Sequence, residues 1–376
     1  MRDGVVVPSS DDVLEDMSGS VSGAIELFEA EFCEVVQEAC DVGIIVDIKE
    51  EVGCSQRRLM SQTAAMESKN LSTVTVFILE GFTTSPDLQV LLFLLFLAIY
   101  ALTLFINIII LIIIYADARL HKPMYFFLGS LSFLDLGYAS STSPKMLVDF
   151  VIEKKTITFL GCVAQIFIFV GFGSTEFFLL AVMAFDRYVA ICKPLMYTVT
   201  MKSSACMQLI SGSFVCGFIH SLITAGGLFQ LSFCGPNKID HFACDLPAFL
   251  KLSCSSITIN ELILSTLTTP MMGGSLFVVL VSYTYIVIAI TRIHTVEGRH
   301  RACSTCASHF ICVLMFYGTV LFIYLRPNSS YSAKKDNVVS VFYMFFTPML
   351  NPLIYSLRNK EVKETVKYLL CRKKIS

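Results

Sequence analysis

Charge is scarce in this chain and tryptophan is absent. Of 376 residues only 15% are Asp, Glu, Lys or Arg, 55% are hydrophobic, and the mean hydropathy is +0.70. An average soluble domain carries about 25% charged residues, so a large soluble globule is excluded for want of polar surface. No basic run interleaved with aromatics occurs, which argues against a nucleic-acid partner. The first residues lack a positive segment followed by an apolar core, because Asp11, Asp12, Glu15 and Asp16 stand where that core would be; no cleaved leader is expected. An alternating ten-residue pattern is also missing, which excludes a transmembrane β-barrel.

What the chain has instead is long apolar runs. Crossing a bilayer takes about 20 predominantly apolar residues, and seven stretches qualify: Leu88–Tyr115, Pro123–Leu147, Cys162–Ile191, Ala205–Leu228, Thr258–Ile290, Cys303–Leu325 and Val338–Leu357. Several contain Ser, Thr, Gly or Pro, as helices do when they pack on one another in lipid. The expected fold class is an all-α membrane protein, a seven-helix bundle covering residues 88–357. Fifteen of the 24 Lys and Arg after residue 65 fall on one side of that topology. That bias predicts the N-terminus outside and the C-terminus in the cytoplasm, with 66–87 an extracellular tail and 358–376 a cytoplasmic one.

Residues 1–65 are different. They hold four Lys/Arg against fourteen Asp/Glu. Val21, Ile25, Phe28, Phe32, Val35 and Ala39 recur at helical spacing among Glu26, Glu29, Glu34 and Glu38, which describes one amphipathic acidic helix. A lone helix has nothing to bury against. The expectation is therefore a mostly disordered extension.

Two short strings carry mechanical meaning. Met183-Ala184-Phe185-Asp186-Arg187-Tyr188-Val189-Ala190-Ile191-Cys192 closes the third span, and an Asp–Arg pair at a membrane boundary suits a latch, since Arg can exchange partners when helices move. Pro348-Met349-Leu350-Asn351-Pro352-Leu353-Ile354-Tyr355 lies in the seventh. There Pro352 removes a backbone donor and Asn351 can rejoin the freed carbonyls, so that helix bends and can repack. Together these resemble the activation motifs of rhodopsin-like G-protein-coupled receptors.

Further strings narrow the resemblance: Leu120-His121-Lys122-Pro123-Met124-Tyr125-Phe126-Phe127-Leu128, Ser282-Tyr283 with Ile286, Arg301-Ala302-Cys303-Ser304-Thr305-Cys306-Ala307-Ser308-His309, Phe316-Tyr317-Gly318, and Ser356-Leu357-Arg358-Asn359-Lys360-Glu361-Val362. From about Met66 to its end the chain resembles vertebrate olfactory receptors. Departures are Ile106 where Gly is usual before Asn107, Phe185 for Tyr, and Cys303 for Phe. The resemblance implies an odorant receptor of the plasma membrane, surrounded by lipid, without enzymatic activity, coupled to a stimulatory, olfactory-type heterotrimeric G protein that raises cAMP. It also implies that Asp186, Arg187, Tyr188, Tyr283, Tyr317, Asn351, Pro352 and Tyr355 serve activation and coupling. A receptor of the same fold for a ligand outside the nose is the alternative. A transporter or channel would need inverted repeats or paired broken helices, and no repeat is visible.

Asp135, midway along the second span, and Glu176, in the third, are carboxylates in apolar settings, where an isolated charge is costly. They need a cation, a shared proton or hydrogen bonds from each other. The resemblance implies a sodium site at Asp135, Glu176, Asn107 and Asn351; a protonated pair with no ion stays open. Cys162, Cys234, Cys244 and Cys254 face the oxidising side, and four cysteines allow three pairings. The resemblance selects Cys162–Cys244 and Cys234–Cys254. With Cys244 in a disulfide, the ligand-like string His241-Phe242-Ala243-Cys244-Asp245 cannot offer a thiolate to a metal. Cys303, Cys306 and Cys312 read as small buried residues. Asn70-Leu71-Ser72 is a glycosylation sequon; Asn328-Ser329-Ser330 is another, close to the bilayer.

The resemblance implies a ligand pocket that opens outward between helices three, five, six and seven. The position where amine receptors carry Asp is Phe169, and no Lys between Val338 and Leu357 could carry a retinal Schiff base,. What remains is Phe169, Val170, Gly173, Ser174, Leu267, Thr268, Met271, Val320 and Tyr324, an apolar lining with a few hydroxyls. It suits a small, weakly polar odorant.

Overall fold

The computed structural model describes residues 74–83, 85–324 and 339–358, together with Val362 and Thr365. The extension at 1–65 and the sequons at Asn70 and Asn328 lie outside the described residues. Among these residues seven longer helices follow in order: α1 Pro86–Ala116, α2 Pro123–Val151, α3 Phe159–Cys192, α4 Ser203–Leu228, α5 Thr258–Thr291, α6 Val296–Tyr324 and α7 Thr347–Arg358, the last preceded by a π-helical turn at Phe342–Phe346. Short helices at Tyr197–Thr200 and Leu246–Leu250 sit in the connections.

Local chemistry accounts for the boundaries. Proline opens α1 and α2 at their first turn, where its missing N–H would have no helical partner anyway,. Thr158 caps α3 by accepting from the Gly161 amide at 3.1 Å,. Pro144 and Pro270 interrupt α2 and α5 from inside. Near the first, the Ser141 hydroxyl bonds back to the Tyr138 carbonyl at 2.7 Å.

Among the described residues, α1, α3, α4 and α5 are long and apolar enough to cross a membrane. Helix α2 matches them in length, but Asp135, Lys145, Asp149 and the Ser-Ser-Thr-Ser run at 140–143 dilute its apolar character. In α6 and around α7 the apolar stretches, Cys306–Phe322 and Val339–Tyr355, are shorter. The outer face of α1 exposes Val90, Leu91, Leu94, Phe105 and Ile112 in unbroken sequence with its buried stripe. So much exposed apolar surface fits hydrocarbon and not water.

Helix α3 is the axis of the packing, with buried residues on every side along its length. Helix α4 approaches it closely through Gly217, where a Cβ would fall 2.7 Å from the Thr175 amide nitrogen. Only glycine lets two backbones come that near. Gly173 gives the same kind of room to α2, because the Tyr138 hydroxyl would lie 2.4 Å from any Cβ there.

One feature departs from an all-α fold. Strand β1, Val76–Leu79, pairs antiparallel with β2, Thr156–Thr158, and parallel with β3, Lys238–Ile239. The segment ahead of α1 is thereby tied to the α2–α3 and α4–α5 connections. Phe77, fully buried, explains the docking: its ring packs edge-on against Phe233 and Phe249 at 5.2 and 5.1 Å. Burial of one such ring is worth about 1.5–3 kcal/mol, enough to hold a four-residue strand whose backbone bonds also find partners.

Candidate functional site

Three levels of the bundle hold the residues that can do chemistry. At one end of the bundle is a cap. Disulfides join Cys162 to Cys244 and Cys234 to Cys254, with Cα separations of 5.3 and 6.0 Å. Gln165, one turn into α3 from Cys162, locks the loop further. It accepts from the Cys244 amide at 2.8 Å and donates to the Ser141 carbonyl of α2 at 3.0 Å.

Below the cap, the residues expected to line a pocket divide. Ser174 on α3 and Thr268 on α5 are brought together by His220 of α4: Ser174 Oγ lies 2.7 Å from its Nδ1 and Thr268 Oγ1 lies 3.3 Å from its Nε2. Phe169 and Gly173 turn toward α2, where Phe169 packs edge-on against Tyr138 at 5.0 Å and tilts against Tyr343 at 5.4 Å. Val170 joins the apolar core of the cap, while Val320 packs beside Tyr317 between α3, α5 and α6. Met271 is buried and Leu267 half-buried on α5. Tyr324 ends α6, and its side chain lies outside the described residues. Two water-sized hollows lie elsewhere, one beside Phe82, Asp149 and Phe242, the other between α4, the Leu246–Leu250 helix and α5.

The middle level is a buried polar cluster. Asn107 donates to the Thr103 carbonyl at 3.0 Å and to the Pro348 carbonyl at 3.1 Å, bridging α1 to α7. Pro352 leaves the Pro348 carbonyl without its helical donor, and Asn107 supplies one in its place. Asn351 donates to Asp135 Oδ1 at 3.3 Å and also faces Glu176. Asp135 Oδ2, Glu176 Oε1, Asn107 Oδ1, Asn351 Oδ1 and Ser132 Oγ are buried with no hydrogen-bond partner among the described residues. Acceptor oxygens in excess of donors match the ligand set of a hard cation. Among the described residues no group of three or more His, Cys, Asp and Glu is gathered as a metal cluster.

At the opposite end from the cap is the latch. Asp186 and Arg187, both buried, pair at 2.5 Å. Asp186 also accepts from the Tyr197 hydroxyl at 2.9 Å. Burial, and then the adjacent Asp186 carboxylate, push the Tyr197 phenol well above its ordinary value, so it remains a donor. Tyr283 of α5 bonds His309 Nδ1 at 2.8 Å and the Cys306 carbonyl at 3.2 Å on α6, with its ring stacked on the imidazole. Tyr283, His309 and Tyr355 all lie within electrostatic reach of Arg187. Tyr317 of α6 donates to Ser275 of α5 at 2.8 Å. Tyr188 packs against Tyr285 at 5.8 Å. Nearby, Asp117 accepts from Arg119 and from Thr365 at 2.7 Å each. Those donors hold its carboxyl well below the usual carboxylate range, with the Arg119 side chain the largest cause.

Sequence reasoning misses His220, Gln165 and Tyr197. The signal for Tyr197 is faint, an aromatic eleven residues after Asp186 in a polar connection. A lone His or Gln in an apolar run gives no spacing to read.

Lipid-compatible helices around a buried polar core, capped by disulfides at one end and latched by an Asp–Arg pair at the other, define a helical membrane protein of the receptor type. The family profile described as olfactory receptor matches residues 96–373. The chain is 52% identical to Olfactory receptor 5A1 of Homo sapiens over 306 residues, covering 81% of this chain and 97% of that one. It is 53% identical to Olfactory receptor 5AP2 of Mus musculus over 305 residues, covering 81% and 96%. To Olfactory receptor 5A2 of Homo sapiens it is 49% identical over 299 residues, covering 80% and 92%. The chain belongs to the olfactory receptor family, whose members are receptors for odorants and not enzymes.

Proposed function

We propose that this receptor sits in the plasma membrane as seven spans, α1 to α7, with its N-terminus outside and its C-terminus in the cytoplasm, and couples to a stimulatory G protein that raises cAMP. The observation that carries the proposal is the buried Asp186–Arg187 pair held by Tyr197, with Tyr283 and Tyr355 nearby as alternative partners. A buried Arg with a second set of acceptors within reach can exist in two pairings, and a ligand that favours one shifts the population. Release of Arg187 would let α6 move outward and open an inner cavity lined by Arg187, Tyr283 and Tyr355.

The ligands are small, weakly polar odorants held beside Ser174, Thr268 and Met271. Asp135, Glu176, Asn107 and Asn351 would hold a sodium ion, which supplies compensating charge to two carboxylates in an apolar surround. Residues 1–65 precede the part of the chain that resembles the family and take no part in recognition, and Asn70 carries a glycan. The test is cAMP in cells expressing the full chain with a stimulatory olfactory-type G protein, screened against a chemically broad odorant panel. Wild type responds to a subset, and Arg187→Ala at equal surface density responds to none. Normal signalling by Arg187→Ala would overturn the latch.

A further inference from the structure

We propose that His220 is the polar anchor by which this receptor reads a single hydroxyl or carbonyl oxygen on its odorant. The inference rests on the odorant-receptor reading and adds the ligand class and the residue that selects it. His220 is 4% exposed and stands deep in α4, among apolar neighbours. A buried imidazole there costs free energy unless its nitrogens are hydrogen-bonded. Both are engaged, but unequally: Ser174 holds Nδ1 at 2.7 Å, whereas Thr268 reaches Nε2 only at 3.3 Å, long for such a bond. Thr268 is the partner that an incoming oxygen can replace.

The chain of groups is also reversible. An imidazole with one N–H donates through one nitrogen and accepts through the other, and hydroxyls can do either. Ser174, His220 and Thr268 can therefore run their hydrogen bonds in one direction or the opposite one. A ligand hydroxyl meets an acceptor in one arrangement, and a ligand carbonyl meets a donor in the other. A hydrocarbon satisfies neither and leaves Thr268 in place. A water-sized hollow lined by Ile223, Thr224, Leu246, Leu250, Asn260 and Ile263 begins one helical turn along α4 from His220,. Thr224 lines it, and its hydroxyl donates to the His220 carbonyl at 3.0 Å.

Displacing Thr268 reaches further than the pocket. Thr268, Met271 and Ser275 share the buried face of α5, and Ser275 is the acceptor for Tyr317 of α6. An oxygen that takes the place of Thr268 frees α5 from α4 at the level just above its link to α6.

The test uses the full-length receptor in the cAMP assay, with odorants in matched sets: one carbon skeleton as the hydrocarbon, the alcohol and the ketone. Potencies are read for wild type, His220→Phe and Thr268→Val at equal surface density. His220→Phe should lower the potency of the oxygenated members about tenfold, the scale of one buried hydrogen bond. Thr268→Val should raise it by a similar factor, because Nε2 is left waiting for a partner. Hydrocarbon members should shift together in both variants by less than about threefold, below one such bond. The opposite signs are what a purely structural strap cannot produce. If His220→Phe fails to reach the surface, the rise in Thr268→Val decides the matter. A fall in Thr268→Val, or equal shifts for hydrocarbons and alcohols, overturns the anchor while leaving odorant reception intact. Wild type silent to every set overturns the odorant reading and the anchor with it.

Discussion

At the outer end of the molecule nearly every device is one that holds: two disulfides, a three-stranded sheet, Gln165 bonded on both sides, and Phe77 enclosed by Phe233 and Phe249. The middle and inner levels are built the other way. Acceptors there outnumber donors, Asp186 and Arg187 are paired with other partners in reach, and the backbone of the last helix passes through a π-turn and two prolines. Covalent links and dry aromatic contacts have one low-energy arrangement. Exchangeable hydrogen bonds and ion pairs have several. The difference teaches where the receptor can change shape, and the following changes are ways of breaking or sharpening it.

The largest effect is expected at the cap. Cys162→Ser and Cys244→Ser each remove the same bond, which closes a loop of 82 residues. Loss of a native disulfide costs about 2–5 kcal/mol, and surface expression should collapse. The double variant should be no worse than either single one, because one shared interaction is lost. Additive losses measured by surface labelling would show that the two cysteines act separately.

At the latch the effect is smaller and of the opposite kind. Tyr197→Phe removes one hydrogen bond from Asp186 without changing the ring. Basal cAMP should rise by about threefold to tenfold, the equivalent of one hydrogen bond, with expression unchanged. An unchanged basal level would remove Tyr197 from the latch.

In the middle level, Glu176→Gln keeps shape and removes charge. If the unpartnered oxygens hold sodium, raising sodium lowers basal activity of the wild type and has less effect on the variant, by linkage between ion and conformation. A variant as sensitive as its parent would refute the sodium site. An insensitive parent would point to a shared proton.

The smallest effect concerns the contact between the α1–α2 connection and Thr365. A carboxyl whose folded-state value is depressed contributes stability that is fully present above its ordinary range and is lost only as pH falls below it. For Asp117 that range begins at the ordinary carboxylate value and extends downward. Hydrogen exchange of the turn at Ala118–Leu120, corrected for intrinsic rate, should therefore show no transition between about pH 5 and 8. A transition in that interval would mean that another group holds the contact.

How much of this is legible in the sequence depends on the range of the interaction. The helices are, because continuous apolar runs bounded by proline and charge need no partner to be recognised; observed ends such as Pro86–Ala116 and Ser203–Leu228 fall close to the hydropathy limits. Strand β1 is not, because Val76–Leu79 reads as four apolar residues in a tail until residues near 157 and 238 supply its ladder. The latch and the polar cluster are legible as motifs, since Asp186-Arg187 and Asn351-Pro352 are contiguous. His220 is not: its meaning lies in Ser174 and Thr268, 46 and 48 residues away on other helices.

The central claim is that the outer end stays fixed while the inner end moves, and the most direct measurement is of two distances in one receptor. Spin labels on the inner ends of α3 and α6, and a second pair on their outer ends, are read without ligand and then with an activating odorant and G protein. The account predicts that the inner pair separates by several ångströms while the outer pair keeps its distance. Equal movement at both ends, or movement at the outer end alone, would contradict it.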